Sequence, residues 1–96
     1  MIRHIVFFSA RQKQDVEMIR EELSALGNIP HSTVFEVTVN TKVDPYSDEI
    51  DIVVYAEFAD QAALAAYKAH PLYDRTTQRV RPMRELRYSA DVVAAQ

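Results

Sequence analysis

The stretch Phe58-Ala59-Asp60-Gln61-Ala62-Ala63-Leu64-Ala65-Ala66-Tyr67-Lys68-Ala69-His70-Pro71-Leu72-Tyr73 decides how the rest of the chain can be arranged. Asp60 has the chemistry of a helix N-cap, a short carboxylate that accepts a backbone N–H. Leu64 and Tyr67 then fall three apart on one face of an alanine-rich helix. Pro71 disfavours helical geometry at His70, so this helix ends there, and Pro71 can start another. An apolar run, Ile50 to Phe58, precedes the stretch, and a second one begins near Leu86. A helix wedged between two apolar strands needs a sheet to cover.

Working outward, Ile2 to Phe8 reads as a first strand, apolar on both faces and so covered on both. Gln14 to Leu26 reads as a helix, with Val16, Ile19, Leu23 and Leu26 at spacings of three, four and three. Gly27-Asn28 should stop it, because either residue tolerates a left-handed backbone. Ile29-Pro30-His31 is a connector, and Thr33 to Asn40 alternates as a second strand. Polar Thr41 to Asp48, with Pro45, is a loop. In the third strand, Ile50 to Phe58, Ile50, Ile52, Val54, Ala56 and Phe58 share one face and Asp51, Val53, Tyr55 and Glu57 the other. Leu72 to about Val80 is a short second helix or turn, and Arg84 to Ala90 a fourth strand.

The order β-α-β-β-α-β, with its last helix split at Pro71, predicts an α+β, ferredoxin-like fold: an antiparallel four-stranded sheet with the helices on one face. No repeat or long linker divides the chain, so residues 1–96 make a single domain with its core at about 2–91. The opposite sheet face is apolar and uncovered. Two sheets packed face to face would bury it, giving a homodimer built as a dimeric α/β barrel. A chain of this length buries only roughly 60–65% of its unfolded surface, so self-association is a useful source of further burial.

Composition removes several function classes. An apolar content of 48% argues against disorder. No apolar run reaches the roughly 18 residues of a membrane span, and the opening strand leaves no room for a signal peptide. The chain has no cysteine, which excludes thiol chemistry and suits a cytoplasmic setting. A net charge of −3 argues against nucleic acid as a partner. That charge is uneven, however: residues 1–74 carry a net −6, whereas residues 75–96, with Arg75, Arg79, Arg81, Arg84 and Arg87, carry +3. Such a cluster reads either as a solvated face or as a site for an anionic small molecule.

No His, Asp or Glu grouping has zinc-like spacing, and there is neither a glycine-rich phosphate loop nor a defensible Ser-His-Asp set, so no metal or cofactor is expected. His4 lies mid-strand beside Ile2, Val6 and Phe8, where an imidazole serves as well in a core as in a site. His70 can bond the last carbonyls of its helix and meet the helix dipole. His31, next to Pro30, faces solvent. Tyr67 and Tyr73, six apart across Pro71, either meet at a pocket or pack as aromatics.

Together, Met1-Ile2-Arg3-His4-Ile5-Val6-Phe7-Phe8, Asn28-Ile29-Pro30, Asp51 to Phe58, Ala63-Leu64-Ala65-Ala66-Tyr67-Lys68-Ala69-His70-Pro71 and Arg87-Tyr88-Ser89-Ala90-Asp91 resemble the stress-responsive A/B barrel (Dabb) family. The match spans about residues 2–91, and its most specific part is Tyr-x-x-His-Pro combined with the opening Arg-His-Ile-Val. The resemblance implies homodimers in which two ferredoxin-like sheets form an α/β barrel. Its best understood enzymes are plant polyketide cyclases, where a Tyr and two histidines promote an aldol cyclisation without metal or cofactor. His4 matches the strand-one histidine and Tyr67 the helix tyrosine. The position of the histidine that acts as base holds Tyr73 here, and that of a further pocket histidine holds Ile52. A phenol with a pKa near 10 is a poor base at neutral pH, so cyclase activity does not carry over.

By the family pattern, His4, Ile19, Leu23, Phe35, Val54, Tyr67, Tyr73 and Arg87 would line a mostly apolar pocket of the small-molecule kind, with His70 at its edge. Arg87 beside two phenols could depress a tyrosine pKa or hold a carboxylate or enolate, if strand register turns it inward. The leading expectation is a cytoplasmic homodimer binding a small, largely apolar molecule. One rival is a cofactor-independent lyase, isomerase, cyclase or monooxygenase using His4 and Tyr67, with Tyr73, as catalytic groups. The other is a structural, stress-associated dimer whose interior is filled by Phe8, Phe35 and Phe58.

Overall fold

A computed structural model describes residues 1–95. Four strands, β1 (Ile2–Ala10), β2 (Val34–Val39), β3 (Ile52–Phe58) and β4 (Arg84–Val93), form one sheet in the order β2-β3-β1-β4. Every neighbouring pair is antiparallel. Three helices, α1 (Val16–Ser24), α2 (Gln61–Ala69) and α3 (Pro71–Val80), complete a ferredoxin-like α+β fold. α1 packs on β1, β2 and β3, α2 on β3, and α3 on both other helices.

Alternation along the strands separates the two faces of the sheet. Ile2, His4, Val6 and Phe8 of β1 and Ile52, Val54, Ala56 and Phe58 of β3 are buried beneath the helices. Ile19 and Leu23 of α1, Leu64 and Tyr67 of α2 and Val80 of α3 close over them. The opposite face carries Arg3, Ile5 and Phe7 of β1, Val53 and Tyr55 of β3, and Tyr88, Ala90 and Val92 of β4. Phe7, Tyr88 and Val92 are exposed there, and Arg3 Nε is buried with no acceptor among the described residues.

Local chemistry explains most boundaries. Asp60 caps α2 as expected, its Oδ1 accepting from Ala63 N at 2.8 Å. Pro71 holds His70 extended (φ −67°, ψ 138°) and ends α2 there. The imidazole of His70 then serves the following helix rather than the preceding one. Its Nδ1 accepts from Leu72 N at 3.1 Å and caps α3, so it does not bond the last carbonyls of α2.

Three expectations need correction. α1 does stop before Gly27, but through a 3₁₀ turn, Ala25–Asn28, in which neither Gly27 nor Asn28 has a positive φ. Glycine is required there by a close approach: a Cβ on Gly27 would stand 2.9 Å from Phe35 Cδ1. Strand β4 runs three residues beyond Ala90, because Asp91, Val92 and Val93 pair with His4, Arg3 and Ile2. Asp51, assigned to the outward face of β3, is buried, its carboxylate taking Ala10 N at 2.8 Å and the ammonium groups of Lys13 and Lys42 at 2.7 Å each. This cluster ties the loop before β3 to the end of β1, and it holds Lys42 at a left-handed φ of 59°.

Candidate functional site

The site is assembled on the helix side of the sheet. β1 presents His4 there, and the antiparallel register sets Asp91 of β4 directly opposite. His4 Nδ1 and Asp91 Oδ1 are 2.5 Å apart, and Lys68 Nζ reaches Asp91 Oδ2 at 3.6 Å. Above the imidazole, Tyr67 of α2 stands edge-on with ring centroids 5.9 Å apart, and Phe58 packs against Tyr67 at 5.0 Å. Tyr73, on the first turn of α3, meets Tyr67 at 5.2 Å. Arg87 of β4 pairs with buried Phe8, so it points to the helix side, its guanidinium 3.5 Å from the Tyr73 hydroxyl and 6.0 Å from the centre of the Phe8 ring.

Burial and the neighbouring charges together set the protonation states. Burial pulls the His4 imidazole below its ordinary 6.5, outweighing the Asp91 hydrogen bond and charge that push it up. Burial opposes the charge on Asp91 too, yet the bond to His4 and the nearby Lys68 leave its carboxyl below 3.8. At neutral pH the pair is therefore a neutral imidazole whose Nδ1–H donates to a carboxylate. Nε2, the nitrogen not bonded to Asp91, is left as a lone-pair base. Burial drives the Tyr67 phenol well above 10, with Tyr73 adding to the shift and Arg87 opposing it, so Tyr67 keeps its proton and can donate it.

Two cavities meet here. The inner one, about 20 Å³, is walled by His4, Val6, Val54 and Tyr67 and has room for about one water. The outer one, about 450 Å³, opens between α3 and the β1–β4 edge. The larger cavity does not touch His4, but Phe8, Leu23, Tyr73, Thr77 and Arg87 wall both, so they are neighbours across a thin partition. The volume of the outer cleft suits a small organic ligand, and the chemistry lies at the inner end.

Of the residues singled out from sequence, His4, Leu23, Val54, Tyr67, Tyr73 and Arg87 come together around these cavities. Ile19 and Phe35 do not line them: Ile19 is fully buried in the helix–sheet core, and Phe35 packs beside it over Gly27. His70 is occupied as the α3 cap. Phe8 and Phe58 fill much of the interior. Two residues were missed, Asp91 and Lys68. The signal for Asp91 was the antiparallel β1–β4 pairing, which places it opposite His4 once β4 is continued past Ala90. Among the described residues, no three His, Asp or Glu side chains are grouped as metal ligands.

The same architecture occurs in solved structures. A Dabb family protein with a ferredoxin-like fold from Mesorhizobium loti is 28% identical, with a TM-score of 0.81 over 99% of this chain and 97% of that one. A dimeric ferredoxin-like protein from Thermobifida fusca is 23% identical, with a TM-score of 0.81 over 97% and 90%. A hydroxynitrile lyase from Passiflora edulis shares the fold at 16% identity, with a TM-score of 0.81 over 99% and 94%. No protein of curated function matches the sequence significantly. The family model for the stress responsive A/B barrel domain matches residues 2–94, and the chain belongs to that family.

Proposed function

We propose that this protein is a homodimer whose helix–sheet pocket takes up a small, largely apolar molecule. The observation that carries the reading is the cleft of about 450 Å³ that abuts the chamber holding His4 and Tyr67. A second copy suits the open sheet face, where Phe7, Tyr88 and Val92 are exposed. It would also bring acceptors to the buried Arg3 Nε. The dimeric state of fold neighbours from Thermobifida fusca and Bacteroides fragilis is in keeping with this. A chain without cysteine suits a cytoplasmic setting.

The His4–Asp91 pair favours a second reading, cofactor-independent acid–base catalysis. His4 Nε2 would accept a proton from a hydroxyl, or from a carbon beside a carbonyl. Asp91 would stabilise the imidazolium so formed, and Tyr67 would donate to the developing oxyanion. Tyr73, in place of the histidine base of the plant cyclases, would position rather than deprotonate. The fold hosts such activities among its neighbours, one described as a hydroxynitrile lyase and another as an antibiotic biosynthesis monooxygenase, although a shared fold does not transfer an activity.

The test is a native mass spectrum of protein purified without added ligand. A dimer carrying a bound small molecule, lost in Tyr67→Ala, is the expected result. A monomer removes the dimer, and a dimer that no small apolar probe perturbs at His4 or Tyr67 removes the binding reading. If His4→Gln then binds ligand normally and turns it over at the wild-type rate and pH profile, the catalytic reading fails.

A further inference from the structure

The sequence is acidic overall, at −3, yet the outer cleft is walled by Arg81, Arg84 and Arg87 with the carboxylate of Asp74, while its fourth cation, Lys68, is already paired with Asp91. The three arginines are spaced by three residues across the turn from α3 into β4, and this turn brings them to one wall. A solvated basic face would spread its cations outward and pair them with neighbours. Here Arg84 and Arg87 are half-buried in a concavity. Among the described residues, no carboxylate lies within ion-pair distance of Arg81, Arg84 or Arg87, whereas Arg11, Arg20 and Arg79 each have one. Arg84 is crowded as well: burial, then the charges of Arg87, Arg81 and Arg11, push its guanidinium below its ordinary value. Like charges gathered in a recess repel one another unless an anion joins them, and a recess lined by one sign of charge concentrates ions of the other.

The remaining wall is apolar, with Phe8, Leu23 and Val80, and Tyr73 stands at the partition to the His4 chamber. We propose that the outer cleft is an oxyanion subsite: Arg84 and Arg87, backed by Arg81, hold the carboxylate or phosphate of an amphipathic small molecule whose apolar part runs inward along Phe8 and Leu23. The guanidinium fork suits either oxyanion. The proposal rests on the reading that this pocket binds a small molecule, and it adds the ligand class: an apolar body with one anionic end. Anchored at the mouth, such a ligand presents its far end to Tyr67 and His4.

The test uses the intact protein and three eight-carbon probes, octanoate, octyl phosphate and 1-octanol, titrated by calorimetry and by NMR shifts of His4 and Tyr67. One or both anions should bind roughly tenfold or more tighter than the alcohol, the return from one charge-assisted pair. The stronger of the two names the oxyanion. Arg84→Gln/Arg87→Gln should abolish that preference while leaving alcohol binding in place. Should the double variant fold poorly, the unmodified protein still decides: added salt should weaken anion binding and leave the alcohol unaffected. Equal affinity for all three probes overturns the oxyanion subsite and leaves the pocket reading standing. Silence of His4 and Tyr67 to every probe overturns both.

Discussion

Replacing Asp91 with alanine removes the acceptor that holds the His4 imidazole. His4 is only 1% exposed, and without the carboxylate its Nδ1–H has no partner but whatever water enters the partly open space that Asp91 vacates. If the proton moves to Nε2 instead, Nδ1 becomes an unpaired acceptor and the penalty remains. A buried group stranded in this way costs about 1–3 kcal/mol. The Asp91 side chain is itself 31% exposed, so the substitution sacrifices little apolar packing. In a domain of this size each kcal/mol lowers Tm by roughly 4–8 °C, so Asp91→Ala should melt on the order of 10 °C early. Asp91→Asn keeps an acceptor and should lose about 1 kcal/mol, the difference between a charged and a neutral hydrogen bond. Circular dichroism melts at neutral pH measure the stability, and an NMR titration of His4 measures the pKa. Because Asp91 raises the His4 pKa against burial, both variants should titrate lower than wild type. Melting of Asp91→Ala within about 2 °C of wild type, with an unchanged His4 pKa, would mean that packing alone positions the imidazole.

Stability should also depend on pH in a definite direction. The folded His4 pKa lies below 6.5, so the unfolded chain binds more protons as pH falls below that value and stability declines there; Asp91 and Asp51, both held below 3.8, extend the loss to lower pH. Urea midpoints taken at about pH 5 and pH 7 should differ less in His4→Gln than in wild type, and an equal difference would place the titration elsewhere. Gly27→Ala should destabilise by about 1–2 kcal/mol as its Cβ forces Phe35 aside, whereas a gain in Tm would show that the ring yields freely. Phe7→Lys with Tyr88→Lys, a cross-strand pair on the open sheet face, should give a folded monomer by light scattering, and an unchanged dimer mass would put the interface on another surface.

What could be read from the chain was whatever is decided within a few residues. The Asp60 cap, the break at Pro71 and the alternation of β3 are local chemistry, and each element lies where that chemistry puts it. Gly27 shows the limit: the helix boundary was legible, but the reason for glycine is a ring eight residues away on β2. Asp91 shows it more sharply. Its strand position depends on pairing with His4, a contact 87 residues distant; Val92 and Val93 favour a strand, but Asp91 ahead of them reads locally as a strand end. The side chosen by Arg87 likewise depends on register, which shifts between Phe8 and Ala10 along β1. The chamber residues His4, Tyr67 and Tyr73 were accessible through family resemblance, whereas the meeting of the arginines at one cleft required the turn geometry.

β1 carries His4 on one side and Ile5 and Phe7 on the other, so a single layer of backbone separates the pocket from the open sheet face. The cleft opens away from that face, beneath α3. In a pair of sheets packed face to face, both mouths therefore look outward, and cargo can enter or leave each protomer while the pair stays closed. Release should be first order and independent of dilution, and the lifetime of the bound molecule should be unrelated to the lifetime of the dimer.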